Sequence, residues 1–177
     1  DRGGGGHHHD RRSRGMTAKP QTAGLRWSFT VYTEPIAKGR PRAVRQGNFV
    51  RMYTPGRTVT FEQAVSCAAL DAVGNQRIDF PIRVDILAVF KRPKRLMRQK
   101  DPQGMLWKST RPDADNVRKA VLDGMARIME DDALVVDGRT CKCYGAKGQE
   151  PLVKVFISSV AELPLGGRNE AQIVDML

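Results

Sequence analysis

The strongest constraint on the fold lies between residues 111 and 128, where an acidic lead-in runs into an amphipathic helical pattern. Asp115 and Lys119, four residues apart, share one face of the helical wheel. The opposite face collects the apolar residues Val117, Ala120, Val121, Gly124, Met125 and Ile128. Such a stripe packs against a sheet or another helix. The pattern therefore predicts a helix that begins near Asp115 and buries one side.

Periodicity elsewhere predicts an α/β fold with a mixed β-sheet packed with two main helices. Helical spacing over 58–73, with Gly74 as a stop, predicts the other helix. Strands are predicted over 25–32, 84–90, 133–144 and 152–158, with a hairpin turn at 46–48 and a long loop over 91–111. We expect one domain over 25–160, a disordered leader or tag-like tail over 1–24, and a weakly ordered tail over 161–177.

Composition favours a polyanionic partner. The 177 residues are 40% hydrophobic, which suits a single core, and carry a formal net charge of +11. The sequence has no apolar run long enough for a membrane span and no apparent signal peptide. We therefore expect a cytoplasmic protein that binds nucleic acid or another anionic surface.

Histidine usage narrows the possible chemistry. The three histidines occupy positions 7–9, so the body has none, and its three cysteines show no disulfide spacing. Ser-His-Asp, Cys-His and histidine-metal sites are thereby excluded from the body. Carboxylates and lysine remain as the candidate catalytic groups.

Seven acidic residues lie between 113 and 137, and crowded carboxylates favour a bound cation. In an extended lead-in Asp113 and Asp115 would fall on the same side. A structural alternative is that Asp115 or Asn116 caps the helix while Asp113 complements its dipole. Lys119 could likewise pair with Asp115 or Asp123, or stabilise phosphate charge.

Chain geometry brings a third carboxylate into consideration. A helix over 115–126 rises roughly 16 Å, and six extended residues returning along it cover about 20 Å. Asp132, which follows Asp131, would then return to the level of Asp115. We expect Asp113, Asp115 and Asp132 to converge within one chain as oxygen ligands for Mg²⁺ or Mn²⁺. Two such ions can split a phosphodiester without histidine.

Basic residues concentrate in two segments. Residues 38–57 carry six bases and no acid, and residues 91–111 carry eight bases and one acid. Either segment alone could be a solvated loop, but together they flank the acidic cluster, as phosphate-binding tracks would. The predicted DNA-binding residues are Lys38, Arg40, Arg42, Arg45, Lys94, Arg95 and Arg111.

At the acidic cluster the sequence resembles the RusA family of Holliday-junction resolvases, common in phages and prophages. The resemblance covers residues 29–158 and rests on an Asp-x-Asp-Asn-x-x-Lys helix start and a following Asp-Asp pair: Asp113, Asp115, Asn116, Lys119, Asp131 and Asp132. It departs at Ala126-Arg127, where relatives often have an Asn-Gly turn.

The resemblance implies a homodimeric, Mg²⁺-dependent endonuclease that nicks four-way DNA junctions symmetrically. Asp113, Asp115 and Asp132 would bind metal, and Lys119 would be the catalytic lysine. Two alternatives stay open: a metal nuclease acting on flaps or forks, and a DNA-binding protein without catalysis.

Overall fold

The computed structural model describes residues 26–40, 42–47 and 49–160, which form a mixed α/β domain with two main helices. In chain order the elements are β1 (Arg26–Val31), β2 (Arg42–Gln46), β3 (Phe49–Tyr53), α1 (Gly56–Val73), β4 (Ile82–Phe90), β5 (Leu106–Trp107), α2 (Ala114–Met125), β6 (Val135–Asp137), β7 (Thr140–Tyr144) and β8 (Leu152–Ser159). The predicted leader and C-terminal tail lie outside the described residues. Neither helix is long and apolar enough to cross a membrane.

Strand β4 is the centre of the main sheet, whose order is β1-β8-β4-β7-β5, with β6 also paired to β4. It runs antiparallel to β8 and parallel to β6 and β7. Ile86, for example, pairs with Val155 on one side and Thr140 on the other. This central position explains why β4 is an almost continuous apolar run. The prediction of a mixed sheet is confirmed.

Alternate residues of β4 serve two cores because side chains alternate between the faces of a sheet. Ile82, Val84 and Ile86 belong to the core that α1 and α2 share with the sheet. Leu87 and Val89 instead pack with Cys143 and partly buried Met105. Both main helices therefore pack against one face, and the 91–111 segment contributes to the other.

Helices α1 and α2 approach each other closely at Gly124. A Cβ atom added there would lie 2.7 Å from Val65 Cβ and 2.9 Å from the Glu62 carbonyl oxygen. Those distances are shorter than van der Waals contact, so the two helices could not keep their present separation around a larger residue.

The segment 91–111, predicted as a long loop, is organised by a buried arginine. Arg92 is 6% exposed. Its guanidinium donates to the carbonyls of Gly145 at 2.9 Å, Pro102 at 2.7 Å, and Gly104. The segment also contains a 3₁₀ turn over Lys94–Leu96 and the short strand β5. The buried Arg92 guanidinium therefore gives the 91–111 segment a fixed geometry. The sequence pattern of that segment does not indicate it.

The strand predicted over 133–144 is divided in two. A 3₁₀ turn occupies Asp132–Leu134, and β6 and β7 are separated at Gly138, which has φ 137°. A Cβ atom at Gly138 would lie 1.9 Å from the Val84 carbonyl oxygen. The break therefore depends on glycine, because an L side chain has neither the conformation nor the space.

The cysteines are free thiols in different environments. Cys141 and Cys143 share one face of β7, and Cys143 is 2% exposed. Burial, with the nearby Cys141, raises the pKa of Cys143 to about 11. Cys67 is exposed on α1.

We predict that Gly124→Ala destabilises the domain by about 1–2 kcal/mol. The contact with the Glu62 backbone carbonyl favours the upper part of the usual overpacking cost, about 2–3 kcal/mol, and the better helix propensity of alanine offsets ~1 kcal/mol of it. Urea unfolding measures the change. Gly104→Ala is the matched control because nothing lies within 4 Å of a Cβ atom there. Equal stability of Gly124→Ala and the unmodified protein would contradict the close helix contact.

Candidate functional site

Asp113 stands at the N-terminal boundary of α2. It has the extended conformation of an N-cap residue, with φ −72° and ψ 149°, and its carbonyl accepts from the Val117 amide at 3.2 Å. Its carboxylate makes no capping hydrogen bond, although that is the usual reason for aspartate here. The helix begins one residue earlier than predicted, and the Asp113 side chain is exposed.

Asp115 and Lys119 lie on the exposed face of the same helix, as their spacing predicted. Asp115 is in the first turn, and one of its carboxylate oxygens lies 3.8 Å from Lys119 Nζ. Their side chains are 66% and 64% exposed, respectively. An exposed ion pair at this distance contributes little to stability. Because both side chains are exposed, a ligand can reach either group.

Asp131 and Asp132 have different local roles. The Asp131 carboxylate accepts from the Ala133 amide at 2.8 Å and caps the 3₁₀ turn that Asp132 begins. That amide, together with a hydrogen bond that Asp131 accepts from Asp132, lowers the pKa of Asp131 below its ordinary value. Asp131 therefore acts as a cap, and Asp132 follows as an exposed carboxylate.

The described residues contain no cluster of three His, Cys, Asp or Glu side chains arranged to hold a metal ion. The expected convergence of Asp113, Asp115 and Asp132 within one chain is therefore not present. The chain leaving α2 does not return as an extended segment along that helix. It passes through a 3₁₀ turn over Ala126–Ile128, and Met129 then forms a parallel bridge with Ile78. The assignment of the three carboxylates as ligands stays a prediction.

Lys38 cross-links the helices near this site. Its ammonium lies 2.7 Å from Glu62 Oε1 on α1 and 2.5 Å from Asp123 Oδ2 on α2. Burial by itself would lower the pKa of Lys38, but hydrogen bonds to Asp123 and Glu62 outweigh it and raise that pKa. The Lys38 amide also donates to the Asn116 carbonyl at 2.8 Å. The Lys38 ammonium, which was predicted to bind phosphate, thus already forms ion pairs with two carboxylates.

A basic groove of about 460 Å³ lies beside the start of α2. Arg95 and Arg111, both predicted to bind DNA, line it together with Arg57 and Lys91, and all four are exposed. Pro112, the residue before Asp113, also lines the groove. Glu34 is the acidic residue of the lining, and it accepts from the Lys91 amide at 3.2 Å. Lys94 is exposed outside this lining.

The β2–β3 hairpin presents a second exposed basic surface. Arg45 is exposed, and its Nε donates to the Gly47 carbonyl at 3.2 Å; Arg40 is exposed ahead of the hairpin. Phe49 and Val50 near the turn are 80% and 68% exposed. The side chain of Arg42 and residue Asn48 lie outside the described part of the chain.

Two lysines near Asp113 were not among the predicted site residues. Lys108 donates to Thr110 and Arg111, and Lys142 donates to Thr110 and Pro112. Most of these acceptors are backbone carbonyls, which have no residue-specific signature, so spacing could not have identified the contacts. Arg57 and Lys91 were also absent from the predicted set because their groove is assembled from distant segments.

Comparisons with known proteins agree with the motif at this site. Residues 33–158 match the family model described as Endodeoxyribonuclease RusA. The chain is also 34% identical over 139 residues to the uncharacterised protein YqaN of Bacillus subtilis (strain 168). That alignment covers 75% of this chain and 96% of YqaN.

Proposed function

Because the chain belongs to the RusA family of endodeoxyribonucleases, we propose that it is a Mg²⁺-dependent homodimer that resolves Holliday junctions by paired symmetric nicks. It would act in DNA recombination and repair, in the cytoplasm of a bacterial host of phage or prophage DNA. The paired nicks would leave ligatable ends on both product duplexes.

The observation that carries this proposal is the placement of the basic groove against the carboxylates at the start of α2. Pro112 lies in the groove wall, and Asp113 is the next residue. Four exposed bases can bind backbone phosphates, and a strand bound there would have a phosphodiester near Asp113 and Asp115. The carboxylates themselves repel phosphate, so a cation is needed between them.

The donor set at the helix start fits Mg²⁺. Asp113 and Asp115 are exposed carboxylates, and Asp113 is not used in capping. Mg²⁺ prefers oxygen ligands and is usually bound through one or two carboxylates together with water and substrate phosphates. Asp113 and Asp115 would hold the cation, with Mn²⁺ as a substitute for Mg²⁺. Asp132, which the described residues do not bring into a cluster with them, stays the predicted third ligand. A bound divalent cation supplies Lewis-acid stabilisation and an activated water nucleophile.

The protein's own residues would orient the strand and stabilise charge. Arg95 and Arg111 would bind phosphates along the groove, which fixes the position of the scissile phosphodiester. Lys119, one helical turn from Asp115, would stabilise the negative charge that develops on the phosphoryl oxygens during hydrolysis. Asn116 would hold the backbone of residue 38 against the helix start through its carbonyl.

We predict that Asp113→Asn, Asp115→Asn and Asp132→Asn each abolish Mg²⁺-dependent cleavage while junction binding persists. Each substitution removes an anionic ligand but leaves the basic surface unchanged. The measurement compares nicking and binding of a mobile four-way junction, a flap, a fork and linear duplex, with and without Mg²⁺.

Asp71→Asn is the matched control because Asp71 is an exposed carboxylate on α1, outside the proposed site. It should cut normally. Full cleavage by Asp113→Asn would refute the ligand assignment. Preferential cutting of flaps or forks would support a different branched-DNA nuclease, and binding without cleavage under all conditions would support a DNA-binding protein.

A second prediction concerns the basic residues before and within the hairpin. Replacing Arg40, Arg42 and Arg45 together by serine should weaken junction binding and flatten its dependence on salt. Each lost phosphate contact removes about one unit from the slope of log affinity against log salt. A Lys38→Met variant should change the slope less, since Glu62 and Asp123 already engage that ammonium. An unchanged slope in the triple variant would contradict the assignment.

We also predict that the working unit is a homodimer. Paired nicks need two active sites, which two-fold symmetry supplies from identical chains. Mixing unmodified and Asp113→Asn subunits should produce heterodimers that leave a single nick in a supercoiled cruciform plasmid. Sedimentation measured under the cleavage conditions gives the oligomeric state. A monomer at concentrations where paired cleavage is complete would rule out the homodimer.

A further inference from the structure

Two lysine ammonium groups hold the three backbone carbonyls that immediately precede Asp113. Lys108 Nζ donates to the Thr110 carbonyl at 3.2 Å, to Thr110 Oγ1 at 2.7 Å, and to the Arg111 carbonyl. Lys142 Nζ donates to the Thr110 carbonyl at 3.0 Å and to the Pro112 carbonyl at 2.5 Å. We call this arrangement the lysine clamp. It occupies every carbonyl oxygen from 110 to 112.

The clamp is anchored in the main sheet. Lys142 is in β7, and the Tyr144 hydroxyl of the same strand lies 3.0 Å from Thr110 Oγ1. The Lys108 ammonium lies 4.9 Å from the centre of the Phe90 ring and 5.2 Å from that of Tyr144, where aromatic faces attract a cation. The segment before Asp113 is thus fixed to β4 and β7 by charge-assisted contacts.

The positive charge of Lys108 requires a physical explanation. Its side chain is 8% exposed, and the described residues place no carboxylate within ion-pair distance of Lys108 or Lys142. A methionine would fill similar space without the cost of desolvating a charge. A methionine could not donate hydrogen bonds to the Thr110 and Arg111 carbonyls.

Donor counting separates Lys108 from the bases that would bind DNA. An ammonium group has three N–H donors. All three donors of Lys108 are accounted for by its contacts to Thr110 and Arg111, although the residue lines the same groove as Arg95. Lys108 therefore has no donor left for a phosphate oxygen, whereas exposed Arg95 does.

We propose that Lys108 and Lys142 are positioning residues that fix the 110–112 backbone and thereby present Asp113 and Asp115 in a single geometry to a divalent cation. This inference rests on the proposed function. A metal ligand whose supporting contacts are removed typically binds its ion 10–100-fold more weakly. Loss of the clamp should act mainly through the metal, because Arg57, Lys91 and Arg95 lie in the groove outside the clamped segment and keep their place in the phosphate-binding surface.

The test uses the full chain with Lys108→Met and Lys142→Met, and Mn²⁺ alone as the probe. Both variants should bind Mn²⁺ about 10–100-fold more weakly by electron paramagnetic resonance. Cleavage should fall at low metal concentration and recover as the metal concentration rises. Amide hydrogen exchange at residues 117–119, the first hydrogen-bonded amides of α2, should accelerate when measured without metal. The salt dependence of junction binding should change less than in Arg95→Met, since three of the four exposed groove bases lie outside the clamped segment.

Arg95→Met is the matched control because it removes an exposed base from the same groove. It should flatten the salt dependence and leave both the Mn²⁺ affinity and the exchange rates unchanged. If Lys108→Met binds Mn²⁺ like the unmodified protein, or behaves like Arg95→Met, the clamp inference is wrong.

Lys142→Met, at a half-exposed position, keeps the test decisive if Lys108→Met fails to fold. The proposed function can also fail separately, if the unmodified protein neither binds Mn²⁺ nor cuts branched DNA. Hydrogen exchange at 117–119 then still decides whether the clamp orders the start of α2: acceleration supports it, and unchanged rates overturn it.

Discussion

The contact between Gly124 and Val65 sets the geometry on which the candidate site depends. Because residue 124 has no side chain, α2 approaches α1 closely enough for Glu62 and Asp123 to reach one ammonium, that of Lys38. The Lys38 amide in turn donates to the Asn116 carbonyl. These contacts therefore couple the separation of the two helices to the course of the 34–40 segment. They also couple it to the position of the Asp-x-Asp-Asn motif.

Positive charge serves two purposes in this protein. Some basic side chains bind groups of the protein itself. Arg92 donates to three backbone carbonyls, and the lysine clamp donates to three others. Lys38 forms ion pairs with both main helices. Others, including Arg57, Arg95 and Arg111, are exposed along a groove. A net charge of +11 thus overstates the charge available to a polyanion, since part of it organises the loops around the site.

The sequence predicts those parts of the fold whose signals are local. Periodicity located β1, both helices, β4 and β8 to within a few residues, and Gly74 ends α1 as expected. The path after α2 was not predictable, because the Ile78–Met129 bridge joins residues distant in sequence. Gly138 could be recognised as a glycine, but not as a residue pressed against the Val84 carbonyl.

In the candidate site, too, the sequence predicts the features that have local signals and misses those that depend on distant contacts. Spacing alone placed Asp115 and Lys119 on one exposed helix face, and the structure does so. It could not show that Asp113 is left out of capping, because the sequence of a capped helix start looks the same. The roles of Lys108 and Lys142 depend on carbonyl acceptors, which every residue carries. Motif spacing therefore identifies the candidate ligands but not the contacts that support them.

The burial of Cys143 has a practical consequence for observing this molecule. A thiol reacts as its thiolate, so a buried group with a pKa of about 11 reacts slowly with alkylating reagents near neutral pH. Burial also raises the pKa of Cys141. Exposed Cys67 is thus the preferred attachment point for a maleimide dye or spin label. A probe there would report on α1 without any cysteine having to be removed.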